Sequence, residues 1–343
     1  MVSRNVRKLS FILFLKFLFF LTLKTIPLRS VTDMFLDLVL GFSFFIQTGF
    51  GVLGNFFLLC HCTFTFLTGS KRKPVNSIFF HLALANSIVL ISKGVPQTIF
   101  GWGLKLTVDR TGCRLIVFFH RVARSLSVSI TCLLSGFQTI TIGSFTDSIW
   151  LEFRTCVSKY IFLICLFCWI LHISINTFML TNIQNFMENS NNTKIWNMGF
   201  CSDFAPESFN VSLFMILYSI YDFLCVGFMI MVSGYLVFFL QRYHQQVQYI
   251  HASSLLSRKF PESKATYTIL VLVSTYVSFY SINSILSFYH ICFDKYYQWL
   301  MPTSILLAAC YSAISPFVLI ISDSQILYFF QSLWQKIPRL SLA

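Results

Sequence analysis

The segment CRLIVFFHRVARSLS, residues 113–127, sets Arg114, His120, Arg121 and Arg124 among leucine, isoleucine, valine and phenylalanine. Lys93 and Asp222 interrupt two further apolar runs. A charged side chain at the centre of a membrane-spanning helix costs roughly 2.5–3.5 kcal/mol on insertion scales. Charges kept at that cost either brace a helical bundle or bind something charged. Arginine suits binding, because its planar fork makes bidentate hydrogen bonds to sulfate, phosphate or carboxylate oxygens. A helix puts Arg121 and Arg124 on one face, with His120 on the flank. Charges inside a membrane usually pair, so Asp222 is expected to neutralise Arg121 or Arg124. The chemistry on offer is recognition of a small anion by Lys93, His120, Arg121 and Arg124, with Asp222 as internal counter-charge. The alternative is that the arginines bond backbone carbonyls and water and only fix the bundle.

Other chemistry finds less footing. GFGVLG (49–54) matches a dinucleotide-binding fingerprint in letters, but no strand precedes it and it lies inside an apolar run. Its glycines read as close helix contacts. The ligand-rich CHC (60–62) points its side chains about 100° apart on a helix, so they cannot converge on a metal. No metalloprotease, nucleophile-elbow or phosphate-loop motif occurs. No enzyme activity, metal or cofactor is expected.

The elements that must position these charges follow from composition. The 343 residues are 56% hydrophobic and 11% charged, with 41 phenylalanines, whereas soluble domains carry about 25% charged residues. Mean hydropathy is +0.73. This is a polytopic membrane protein, and the net charge of +13 lacks the basic stripe that would suggest nucleic acid. Apolar runs near 38–66, 78–100, 113–142, 160–181, 211–240, 265–293 and 299–321 are each long enough to cross a bilayer. The fold class is an all-α seven-helix membrane bundle over residues 34–323, with an N-terminal extension (1–33) and a tail (324–343). The extension reads as signal-like or disordered; an eighth span is the alternative. Lys71, Arg72, Lys73, Arg154, Lys159, Arg242, Arg258, Lys259, Lys264, Lys336 and Arg339 fall after spans one, three, five and seven. Only Lys105, Arg110, Lys194 and Lys295 fall after spans two, four and six. The positive-inside rule then puts the N-terminus outside and the tail in the cytoplasm. At 1.5 Å per residue, Lys93, Arg121, Arg124 and Asp222 lie about 10–16 Å below the outer boundary. All four fall in the outer half of the bundle.

Under this topology Asn191 and Asn210, both in glycosylation sequons, face outward. Asn191 is the expected acceptor, because Asn210 lies close to the membrane. Cys113 and Cys201 share the oxidising side and are the expected bridge, with Cys292 as competing partner.

From Met34 to Lys336 the chain resembles the vomeronasal type-1 receptors, a branch of the rhodopsin-like G-protein-coupled receptors. The resemblance rests on IQTGFGVLGNFFLL (46–59), HLALANSIVLISKGVPQT (81–98), TGCRLIVFFHRVARSLSVSITCLLSGFQTITI (111–142), HQQVQYIHASSLLSRKFPESKATYTILVLVS (244–274) and SPFVLIISD (315–323). It implies a chemosensory receptor that binds a small, steroid-like chemosignal and activates a heterotrimeric G protein of the inhibitory or a related class. Against rhodopsin-like receptors at large the motifs depart. Asn86 replaces the sodium-binding aspartate, Phe137-Gln138-Thr139 replaces Asp-Arg-Tyr, and Ser315-Pro316 followed by Leu319 replaces Asn-Pro-x-x-Tyr. Gln138, Arg242, Arg258, Lys259 and Lys264 are the expected G-protein surface, or else ordinary positive-inside charges. The rival functions are an organic-anion transporter or channel, and a receptor-like chain that signals poorly.

Overall fold

Lipid offers the backbone no hydrogen bonds, so an apolar run long enough to cross must satisfy its own, and the helix does this. The computed structural model describes residues 31–69, 73–104, 110–143, 148–189, 193–197, 202–206, 209–250, 271–282, 300–322 and 326. Within them run α1 (Val31–Thr68), α2 (Val75–Gly101), α3 (Arg110–Gly143), α4 (Ser148–Asn189), α5 (Phe209–Ile250), α6 (Val271–Ile282) and α7 (Leu300–Ser322). All but α6 hold a stretch long and apolar enough to span a membrane. The span expected at 265–293 is described only over α6.

The structure adds three details to the expected architecture. Helix α1 begins at Val31, so the last residues assigned to the N-terminal extension are helical. Helix α4 begins at Ser148 rather than near 160; Glu152, Arg154 and Lys159 depress hydropathy there without breaking the helix, and Arg154 and Lys159 stand on α4 rather than in a loop. The bundle is all-α, and one small hairpin decorates it. Strands β1 (Thr193–Asn197) and β2 (Ser202–Pro206) pair antiparallel, from Thr193↔Pro206 to Asn197↔Ser202. Two short segments bridging α4 and α5 satisfy their backbone groups on each other, and β2 rests against α4.

Helix α3 packs on α2, α4 and α5, while α2 also packs on α1, α4 and α7, and α7 packs on α1. The α3 run SLSVSITCLLSGFQTIT is polar for a span. The hydroxyls turn back on their own helix: Ser125 to the Arg121 carbonyl at 2.9 Å, Thr131 to Ser127 at 2.7 Å, Ser135 to Thr131 at 2.9 Å and Thr139 to Ser135 at 3.0 Å. Each bond removes a donor that lipid could not satisfy.

Helices in lipid gain little from burying apolar surface, so small residues and interhelical hydrogen bonds hold them together. A Cβ on Gly51 would lie 2.7 Å from Leu90 and 2.9 Å from the Ala313 backbone. One on Gly54 would lie 3.0 Å from Phe317. These two glycines of the GFGVLG run close α1 onto α2 and α7, as expected, whereas Gly49 faces open space. Fully buried Asn55 donates to the Gly51 carbonyl (2.8 Å) and to the Ser312 carbonyl (3.1 Å), tying α1 to α7. Asn86 donates to Ser315 (2.9 Å) and accepts from Ser127 (2.6 Å), joining α2, α7 and α3. The Asn86 amide is thus satisfied by protein hydroxyls where rhodopsin-like receptors at large carry a carboxylate. Beneath this polar layer Leu82, Leu126, Ile130, Leu134, Met229, Leu236 and Leu272 form the apolar core.

Candidate functional site

A cavity of about 40 Å³ lies among α2, α3, α6 and α7. Its described lining is Val89, His120, Arg124, Ser127, Val128, Tyr276, Phe279, Tyr280, Ala308, Tyr311 and Ser312. One wall is cationic or polar and the facing wall is aromatic. The space has room for only a few water-sized molecules.

Helix α3 sets the cationic wall. His120 and Arg124 are four residues apart and share a face, so both reach the cavity. The His120 Nδ1 and the Ser92 hydroxyl are 3.2 Å apart, and the imidazole also bonds the Val89 carbonyl. Ser92 itself donates to the Val89 carbonyl at 3.2 Å. The histidine is therefore oriented by α2.

Arg124 meets Asp222 of α5 at 3.2 Å, from one guanidinium nitrogen to Oδ2. The arginine side chain is 35% exposed and the aspartate 3%. Asp222 lies behind Arg124 and does not line the cavity. Its Oδ1 is buried without a hydrogen-bond partner among the described residues, and Tyr280 of α6 lies beside the carboxylate. Of the two partners open to Asp222 in the sequence, the structure selects Arg124.

Lys93 is buried and Arg121 half-buried. Neither lines the cavity, and each feels the other's charge. Lys93, Arg121 and Arg124 all act electrostatically on the His120 ring. The five candidates thus form one neighbourhood with two tiers: His120 and Arg124 at the cavity, and Lys93, Arg121 and Asp222 around them.

The aromatic wall escapes sequence reasoning. Tyr276 and Tyr280 stack at 5.9 Å, and Tyr276 meets Tyr311 edge-on at 4.9 Å. The Tyr311 and Thr131 hydroxyls are 2.7 Å apart. In sequence these tyrosines read as members of apolar runs. The available signal is their spacing, two hydroxyl-bearing rings one helical turn apart on α6. A second polar cluster sits beside the site: Ser129 bonds both Tyr221 and the His172 Nε2, the latter at 2.6 Å, linking α3, α5 and α4.

Cys113 is buried and disulfide-bonded; Cys201, its expected partner, lies outside the described residues, as do Cys292, Asn191, Arg258, Lys259 and Lys264. Asn210 stands in the first turn of α5. Gln138 is half-buried near the end of α3, with its Oε1 unpartnered among the described residues. Arg242 is exposed on α5.

Comparison with known proteins bears on what this site serves. The model of the vomeronasal organ pheromone receptor family matches residues 38–332. Vomeronasal type-1 receptor 1 of Homo sapiens is 42% identical over 289 residues, covering 84% of this chain and 81% of that protein. Vomeronasal type-1 receptor 3 of Homo sapiens is 40% identical over 284 residues, covering 82% of this chain and 90% of that protein. Olfactory receptor class A-like protein 1 of Danio rerio is 28% identical over 290 residues, covering 83% of this chain and 90% of that protein.

Proposed function

This chain belongs to the vomeronasal type-1 receptor family, and from that premise we propose that its cavity receives a small amphipathic anion whose binding activates a heterotrimeric G protein. The protein is a multi-pass membrane receptor and not an enzyme. The observation that carries the ligand reading is the two-faced lining, His120 and Arg124 against Tyr276, Tyr280 and Tyr311. A sulfated or carboxylated steroid or lipid has the matching halves, an oxyanion for the guanidinium and an apolar body for the rings. Lys93 and Arg121 add positive potential from the second tier. At about 40 Å³ the cavity is far smaller than the ~300 Å³ or more of a typical ligand site. A steroid-sized ligand therefore enters by selecting a more open packing of α3, α5 and α6, which is also how it would signal.

The same reading orients the molecule with its N-terminus outside, as the basic residues suggest, and bridges Cys113 to Cys201 across the loop carrying β1 and β2. It makes Asn191 the glycan acceptor. Gln138, Arg242, Arg258, Lys259 and Lys264 would meet a G protein of the inhibitory or a related class. The transporter alternative draws no support from relatives that are named as receptors.

The test is G-protein activation in cells with measured surface expression, challenged with a panel of sulfated steroids and their unsulfated parents. Activation by sulfated compounds alone, reduced at least about 30-fold in potency in Arg124→Ala, is the expected result, from loss of a charge-assisted bidentate contact of roughly 2–3 kcal/mol. Arg121→Ala is expected to weaken the response less, because Arg121 stands off the cavity. Activation by neutral compounds that survives both substitutions would make the arginines structural.

A further inference from the structure

We propose that the Arg124–Asp222 bridge is a displaceable clasp: the ligand's anionic group takes Arg124 from Asp222 and so releases α5 and α6 from α3. The inference rests on the anion reading above and specifies how that anion is sensed.

Arg124 stands between two claimants. On one side it lines the cavity with His120 and Tyr280; on the other it meets Asp222, which the cavity does not reach. The internal claimant holds it through one nitrogen and one oxygen at 3.2 Å, longer than the roughly 2.7–2.9 Å of a strong charge-assisted bond. The unpartnered Oδ1 shows that the carboxylate does not meet the fork with both oxygens. An oxyanion arriving through the cavity meets the guanidinium where Arg124 lines it, the side chain being 35% exposed. Tyr280 lines the cavity and lies beside the Asp222 carboxylate, so α3, α5 and α6 converge on a single ion pair. Once displaced, Asp222 is a buried charge without its cation, an arrangement that strongly favours movement. The way out is a shift of α5 that carries the carboxylate towards water. No covalent step is involved: one oxyanion replaces another on Arg124, and Lys93 and Arg121 offset the charge added to the pocket.

The experiment compares ligand-free G-protein activation per surface receptor in Asp222→Asn, Arg124→Gln, Tyr280→Phe and the exchange Arg124→Asp/Asp222→Arg. Either single change at the ion pair is expected to raise basal activation at least about fivefold, the low end of ordinary coupling between sites. Tyr280→Phe should raise it less, and the exchange should return it to the parent level. Basal activation unchanged in the single variants overturns the clasp, as does an exchange no quieter than they are. Single variants lost from the surface but rescued by the exchange make the pair a structural brace, which also overturns it. Should every ion-pair variant be lost, Tyr280→Phe decides: raised basal activation supports the clasp and parental activation overturns it. The ligand arm adds a sulfated steroid and its unsulfated parent, with Asp222→Asn expected to answer the sulfated probe at a concentration at least about fivefold lower. The two readings fail separately. Flat basal activity with a retained sulfate response keeps the anion pocket and removes the clasp. Raised basal activity with no sulfate response keeps the bridge as a resting restraint and overturns its opening by an anion.

Discussion

Asn86 shows at the scale of one residue how this bundle trades charge for neutral hydrogen bonds. Its amide spends a donor on Ser315 and an acceptor on Ser127, both buried. Asn86→Ala should therefore unlink three helices and lower stability by about 1–2 kcal/mol, the range for interhelical polar contacts in membranes. Thermal unfolding of the detergent-solubilised receptor measures this; an unshifted transition would mean the hydroxyls re-pair at no loss. Tyr311→Phe keeps the edge-on contact with Tyr276 but removes the bond to Thr131, and should cost about 0.5–1.5 kcal/mol in the same assay. At this scale the sequence was informative about residue type and mute about partner. Charges in an apolar run announce themselves, so His120, Arg124 and Asp222 were legible. Whether Asp222 meets Arg121 or Arg124 depends on the rotation of α5 about its axis relative to α3, which no spacing within either helix encodes. The tyrosine wall was missed because a tyrosine in a phenylalanine-rich span carries no penalty that marks it.

Elements were legible where hydropathy is continuous and obscure where it is not. Helix α4 shows the limit: SIWLEFRTCVSK is helical, yet its charges lower the local hydropathy and hide the start of the helix. The hairpin of β1 and β2 was invisible because TKIWN and SDFAP are short and show no clean alternation. The glycines of α1 carry a prediction suited to this scale. Gly51→Ala would press a methyl group against the Ala313 backbone and should destabilise by about 1–3 kcal/mol, as overpacking does. Gly49→Ala, facing open space, should be neutral or stabilise by about 0.5–1 kcal/mol through helix propensity. Surface abundance and unfolding temperature of the two variants should diverge, although the residues are only two positions apart. Equal behaviour would mean that α1 does not approach α7 as closely as described.

For the whole molecule, orientation is the first thing to establish, because the pocket and the proposed G-protein face exchange sides if the chain is inverted. Enzymatic deglycosylation should shift the electrophoretic mobility of the expressed receptor. Asn191→Gln should abolish that shift, and Asn210→Gln, in the first turn of α5, should leave it intact. A shift that persists in Asn191→Gln and disappears in Asn210→Gln would move the membrane boundary. A receptor with no glycan at either asparagine would withdraw this support for an outward-facing loop. The length of α5, from Phe209 to Ile250, then acquires a mechanical meaning. About 42 Å of continuous helix separates Asp222 from Ile250 at 1.5 Å per residue. A rotation of roughly 5° about the ion pair would sweep the far end through about 4 Å over that length. A stiff beam pinned near its charged pivot therefore multiplies a displacement too small to see in the cavity into one that a docked protein can feel.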